Sequence, residues 1–114
     1  MKLILKNNVN KHIEETFIQG FDSFRKICEK FCQAQEDLEA HIFAVNEIIK
    51  SHELEKFKTF VKDKNISILH IYSNNRETVL ASRSLKIDTT YANEKEVKKK
   101  EILYSFNQRE NILH

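Results

Sequence analysis

The chain contains no proline and a single glycine, Gly20, among its 114 residues. Without these breakers the regular elements should be long and the tight loops few. A lone glycine also excludes glycine-rich phosphate loops, which need several closely spaced glycines. Cysteine is scarce, with only Cys28 and Cys32, so no disulfide framework is expected. No stretch approaches the roughly 20 apolar residues of a membrane span. The apolar run within Met1–Lys6 is too short for a secretory signal. These absences predict a cytoplasmic protein with reduced thiols and no membrane partner. Charge of one sign is lacking too: 19 basic and 17 acidic residues leave a net +2, which neither demands nor excludes an anionic partner.

Charged residues make up 32% and hydrophobic residues 40%, a mix that suits a globular chain and not a disordered one. The length fits one domain spanning 1–114, with 107–114 expected to fray. A chain of this size buries about two-thirds of its unfolded surface, enough for a core without disulfides or metal.

Lys2 to Lys6 reads as a short strand closed by Asn7 and Asn8, after which Asn10 is placed to cap a helix. The dominant pattern follows. Phe21, Phe24, Cys28, Phe31, Gln35, Leu38, Ile42, Val45, Ile49 and His52 recur in steps of three and four, a seven-residue repeat. It predicts either one long helix over 11–52, roughly 60 Å in length, or a helical hairpin turning near Gln33–Glu36. Apolar residues at Ile27, Ala34 and Ile48 widen the stripe, which fits a globular core or a multi-helix bundle better than a slender two-stranded coil.

From Ile66 the period changes to two. Ile66–Tyr72 reads as a strand, Asn74–Asn75 as a two-residue turn, and Glu77–Ile87 as the returning strand of an antiparallel hairpin. In that pairing Tyr72 faces Glu77, His70 faces Val79 and Ile66 faces Arg83. Thr89–Ala92 becomes a connector. Asn93 with Glu96 then opens a C-terminal helix over 94–106, with a final strand over 102–106 as the alternative. The fold class expected is α+β, in the order strand, long helix or helical hairpin, two hairpin strands, helix.

Three functional readings follow. The leading one is a non-catalytic protein–protein interaction or regulatory module, binding a protein partner or itself as a homodimer. It acts through the stripe residues Phe24, Phe31, Leu38, Ile42, Val45 and Ile49. An alternative is a nucleic-acid binder whose Lys95, Lys98, Lys99, Lys100 and Arg109 neutralise phosphates beside Tyr91 and Tyr104. Glu94, Glu96 and Glu101 dilute that charge. The third is a small ligand-binding domain or enzyme, with His70, Tyr72 and Arg83 lining a pocket on one sheet face. No catalytic, metal or cofactor site is expected. Cys28 and Cys32 lie one helical turn apart, but zinc wants about four ligands and the five histidines show no paired spacing.

Overall fold

The computed structural model describes residues 1–31, 37–64 and 66–101. Its elements are β1 (Lys2–Asn7), β2 (Ile13–Phe17), α1 (Phe21–Phe31), β3 (Leu38–Ala44), α2 (Ser51–Asp63), β4 (Ile66–Ser73), α3 (Arg76–Ser84) and β5 (Asp88–Tyr91). A further helix, α4, follows over residues 94–101. The five strands form one mixed sheet in the order β2-β1-β3-β4-β5. β1 runs antiparallel to both its neighbours, whereas β3, β4 and β5 are mutually parallel.

The α+β class holds, but the long helix does not. The longest dimension of the molecule is 39 Å, too short for a straight 11–52 helix. That segment is instead a strand, a helix, a second strand and the start of another helix. The first part of the repeat is truly helical: α1 buries Phe24 and Cys28, four apart on one face. The second part is β3, where Leu38, Ala40, Ile42 and Ala44 alternate onto the main core. A separation of four residues suits both periods, because it returns a side chain to the same face of a helix or of a strand. His41 and Phe43, on the other face of β3, are buried too, so polar alternation is blurred as in strands covered on both sides. Ile49 lies in the loop before α2, held by its N–H donating to Thr78 Oγ1 at 2.9 Å. Gln33–Glu36, the expected helical turn, lies outside the described residues.

The antiparallel hairpin is also corrected. Ile66–Ser73 is a strand as expected, yet the expected return strand is mostly α3. Asn75 is not a hairpin turn residue but the N-cap of that helix; its side chain accepts from the Thr78 N–H at 2.8 Å. Thr78, Val79 and Ser82 form the buried helical face. β4 therefore pairs with β3 and β5, and the connector over Thr89–Ala92 lies largely within β5. Likewise Asn10 caps no helix. It sits in the turn joining β1 to β2, accepting from the His12 N–H at 2.8 Å, while Asn7 Oδ1 accepts from Val9 and Asn10. The helix opened by Asn93 is present over 94–101: Asn93 Oδ1 accepts from the Glu96 N–H at 2.9 Å, and the Asn93 side-chain NH2 donates to Glu96 Oε1 at 3.2 Å. Its expected continuation to 106, and the tail 107–114, lie outside the described residues.

With so little glycine, left-handed backbone falls to other residues, namely Lys11 (φ 63°), Asn46 (φ 56°) and Lys86 (φ 61°). Gly20 serves a different end. A β-carbon there would lie 2.5 Å from Glu53 Oε1. That oxygen accepts the Phe21 N–H at 2.9 Å, closing the open end of α1 with a carboxylate.

Helices α1, α2 and α3 cover one face of the sheet. Phe24, Cys28, Leu54, Phe57, Phe60 and Val61 pack there against Leu3, Leu5, Ile42, Leu69 and Ile71. On the other face lies a second, smaller cluster, where Val97 of α4 and Ala92 pack against Ile4 and Phe43.

Candidate interaction face

The second sheet face carries the densest set of ionisable and aromatic side chains. It follows directly from strand alternation. β3 turns Glu39, His41 and Phe43 to this side, β4 turns His70 and Tyr72, and β5 turns Thr90. In-register parallel pairing sets His41 beside His70 and Phe43 beside Tyr72. The Phe43 and Tyr72 rings stack at 4.3 Å with 6° between planes, and His70 lies 4.2 Å from the other side of the Tyr72 ring.

Hydrogen bonds thread the cluster. His41 Nε2 lies 3.1 Å from Glu39 Oε1, and its Nδ1 lies 3.1 Å from the Tyr72 hydroxyl. Asn8 donates to the other Glu39 oxygen at 2.7 Å, and His70 Nε2 meets Thr90 Oγ1 at 2.7 Å. With His41 neutral, Nε2 donates to the carboxylate and Nδ1 accepts the Tyr72 O–H. Protonating Nδ1 would reverse that second bond, with the Tyr72 oxygen accepting and its hydrogen turned elsewhere.

The electrostatics agree. Burial holds the His41 imidazole below its ordinary value of 6.5, against the opposing pull of Glu39. Burial also lowers His70, with His41 and Lys100 adding to the effect and Asp88 opposing it. Burial pushes the Tyr72 phenol up. Burial alone would raise Glu39, but hydrogen bonds from Asn8 and His41 prevail and its carboxyl sits low.

A pH dependence follows. Between the depressed native values and 6.5 the unfolded chain binds more protons at these histidines than the native chain does. Stability is therefore full above pH 6.5 and falls as pH drops through and below it. Glu39 adds a further loss below its ordinary 4.5. Thermal melts from pH 8 to pH 5 are expected to show a steady decline that His70→Gln makes shallower. A flat profile from pH 8 to 5.5 would contradict a neutral, buried His41 beside a partly buried, neutral His70.

Of the residues expected to form a pocket, His70 and Tyr72 are indeed neighbours, but Arg83 is not with them. It stands exposed on α3, which packs on the opposite face. Glu39 and His41 take its place. They were missed because the heptad pattern assigned them to a helix; the alternation Glu39, His41, Phe43 was the signal.

The basic segment borders this same face. Lys95, Lys98, Lys99 and Lys100 are exposed on α4, with Lys98 paired to Glu94 at 3.2 Å. Nearby, Lys2 pairs with Glu101 at 2.7 Å. Arg109 and Tyr104 lie outside the described residues. The stripe residues are elsewhere. Phe24, Leu38, Ile42 and Ile49 are buried in the main core, Phe31 is partly buried against it, and Val45 packs at the smaller cluster. Cys28 is buried, while Cys32 lies outside the described residues. Among the described residues no group of three or more metal-ligating side chains converges, and no helix is long and apolar enough to cross a membrane. Among the described residues, the large apolar side chains most exposed to solvent are Val9, Phe17, Ile48, Leu80 and Tyr91.

Comparison with known proteins bears on what such a surface serves. No family model matches the chain, and no solved structure does. A curated protein does match, at 34% identity over all 114 residues: the probable septum site-determining protein MinC of Prochlorococcus marinus subsp. pastoris. The chain is similar to a septum site-determining protein. It spans 52% of that MinC protein's length.

Proposed function

We propose that this protein takes part in placing the division septum, as a non-catalytic module that works by binding other proteins. The observation that carries this reading is the 34% identity to the MinC protein along the whole chain. A match that extends over all 114 residues is what a shared fold and a related task would leave. The polar cluster on the second face supports a binding role over catalysis: both His41 nitrogens and His70 Nε2 are engaged by Glu39, Tyr72 and Thr90.

In this reading residues 1–114 act as one domain in the cytoplasm. Of the stripe residues, Phe31 and Val45 are proposed to contribute at its surface. Phe24, Leu38, Ile42 and Ile49 hold the core that presents it. Self-association as a homodimer remains part of the proposal, with the exposed apolar residues as its material.

The test is a chimera. The segment of the MinC protein that aligns with this chain is replaced by residues 1–114, and septum positions are scored in cells lacking their own copy. Restored placement of septa is the expected result. A stable, expressed chimera that leaves septa as misplaced as in the deletion strain would overturn the proposal.

A further inference from the structure

Among the described residues the sheet ends at β2, and that edge has a groove beside it. The Asn7 N–H donates to the His12 carbonyl at 2.9 Å, and the Ile18 N–H donates to the Met1 carbonyl at 2.9 Å. Antiparallel ladders alternate, so His12, Glu14, Thr16 and Ile18 direct their backbone groups inward to β1. Ile13, Glu15 and Phe17 therefore direct theirs outward, a row of donors and acceptors spaced for another strand. Natural edges of this kind are kept from indiscriminate pairing by shortness, charged side chains, proline or a bulge. β2 reads Ile-Glu-Glu-Thr-Phe, with no proline and no bulge; its protection is acidic charge, Glu14 and Glu15, which repels acidic strands and admits basic ones.

Beside this edge runs a groove of 500 Å³ between β2 and α1. His12, Glu14 and Thr16 form its strand wall. Ile27 and Phe31 give it an apolar floor, and Lys30 stands on the helix wall. The other edge strand, β5, has only four residues. Charge selects the occupant. Glu14 is half exposed, and among the described residues its ion-pair partner is His12, at 3.4 Å, which neutralises it only when protonated. Glu15, the next residue, turns to the other sheet face and pairs with Lys2 at 3.5 Å, so Glu14 is the charge that faces the groove. A second copy meets like charge in two of the three central two-fold registers, Glu14 against Glu14 and Glu15 against Glu15; the third, centred on Thr16, gains no ion pair for either glutamate, whereas a basic segment does.

We propose that β2 and the β2–α1 groove receive an extended segment of a partner protein by strand addition. That segment has a lysine or arginine opposite Glu14 and apolar residues two positions to either side, over Ile27 and Phe31. This rests on the reading of the protein as a protein-binding module, and it adds where and what it binds.

The probe is a capped eight-residue peptide of valine and threonine with a central lysine, titrated into the full chain and followed by amide NMR. Shifts are expected at Ile13, Glu15 and Phe17 and along α1. Glu14→Lys should weaken binding about tenfold or more, the loss of one ion pair at a desolvated edge. Glu15→Pro removes an outward N–H without touching the β1 ladder and should abolish binding. Both variants are checked for wild-type circular dichroism. No binding to the folded wild type, equal binding by the variants, or equal binding of a peptide with glutamate for lysine would each overturn the proposal. A concentration-dependent dimer lost in Glu15→Pro would overturn it in favour of a second copy. If the septum chimera works while the peptide fails, the docking site falls and the function stands.

Discussion

Ile42→Asp is expected to leave no folded protein. Ile42 is fully buried in β3, the central strand, with Leu3 opposite it on β1 and Ile71 opposite it on β4. Aspartate there loses the transfer energy of a large aliphatic side chain and must either ionise in an apolar layer or take up a proton. The cost is several kcal/mol at least, against a total stability of about 5–15 kcal/mol for a domain of this kind. Circular dichroism and a thermal melt check it, with Ile42→Val as the control at about 0.5–1.5 kcal/mol. The same experiment separates two accounts of the stripe. As core, the variant unfolds. As an assembly seam, it stays folded and its mass in solution falls by half. A folded variant of unchanged mass would contradict both.

Phe57→Ala is expected to lower the melting temperature by about 15 °C or more. Phe57 is fully buried at the contact of α1 and α2. Its ring meets Phe24 edge-on at 4.8 Å and Phe21 at 5.6 Å, and Phe60 closes the group at 5.7 Å from Phe24. Removing a buried phenylalanine costs about 3–5 kcal/mol where the surroundings cannot collapse into the space. In a domain of roughly 100 residues each kcal/mol moves the transition by several degrees. The aromatic group joins α1 to α2, beside the bond from the Phe21 N–H to Glu53, and its rings pack directly against the space that Phe57 fills. Phe17→Ala is the contrast. That ring is 80% exposed, and its loss should stay within about 0.5 kcal/mol. A small shift for Phe57→Ala, like that of Phe17→Ala, would mean that the cluster does not hold the helices to the sheet.

The candidate face was half legible in advance. His70 and Tyr72 lie two apart on a strand whose β-branched and aromatic content declared it, so their shared side was readable. Their partners were not. His41, with Glu39 behind it, reaches Tyr72 only because β3 lies parallel to β4, in a register that no local pattern encodes. Arg83 was drawn into the site by an assumed hairpin. Asn74–Asn75 suits a two-residue turn and a helix cap equally well, since the amide side chain can serve either.

What the sequence by itself determined is local. Lys2–Lys6 as a strand, the Phe21–Phe31 helical face, Ile66–Tyr72 as a strand and the Asn93 cap each rest on chemistry within a few residues. The tertiary structure decided the rest. Leu38–Ala44 could bury the same residues as a helix or as a strand, because a spacing of four satisfies both periods. It becomes a strand because β1 and β4 supply ladder partners on its two sides and the helices close over it. Residues 13–17 carry too little apolar periodicity to declare themselves, and they extend only because β1 offers hydrogen bonds along its free side. Backbone groups must be paired wherever they are buried, and which partner pairs them is a property of the whole chain.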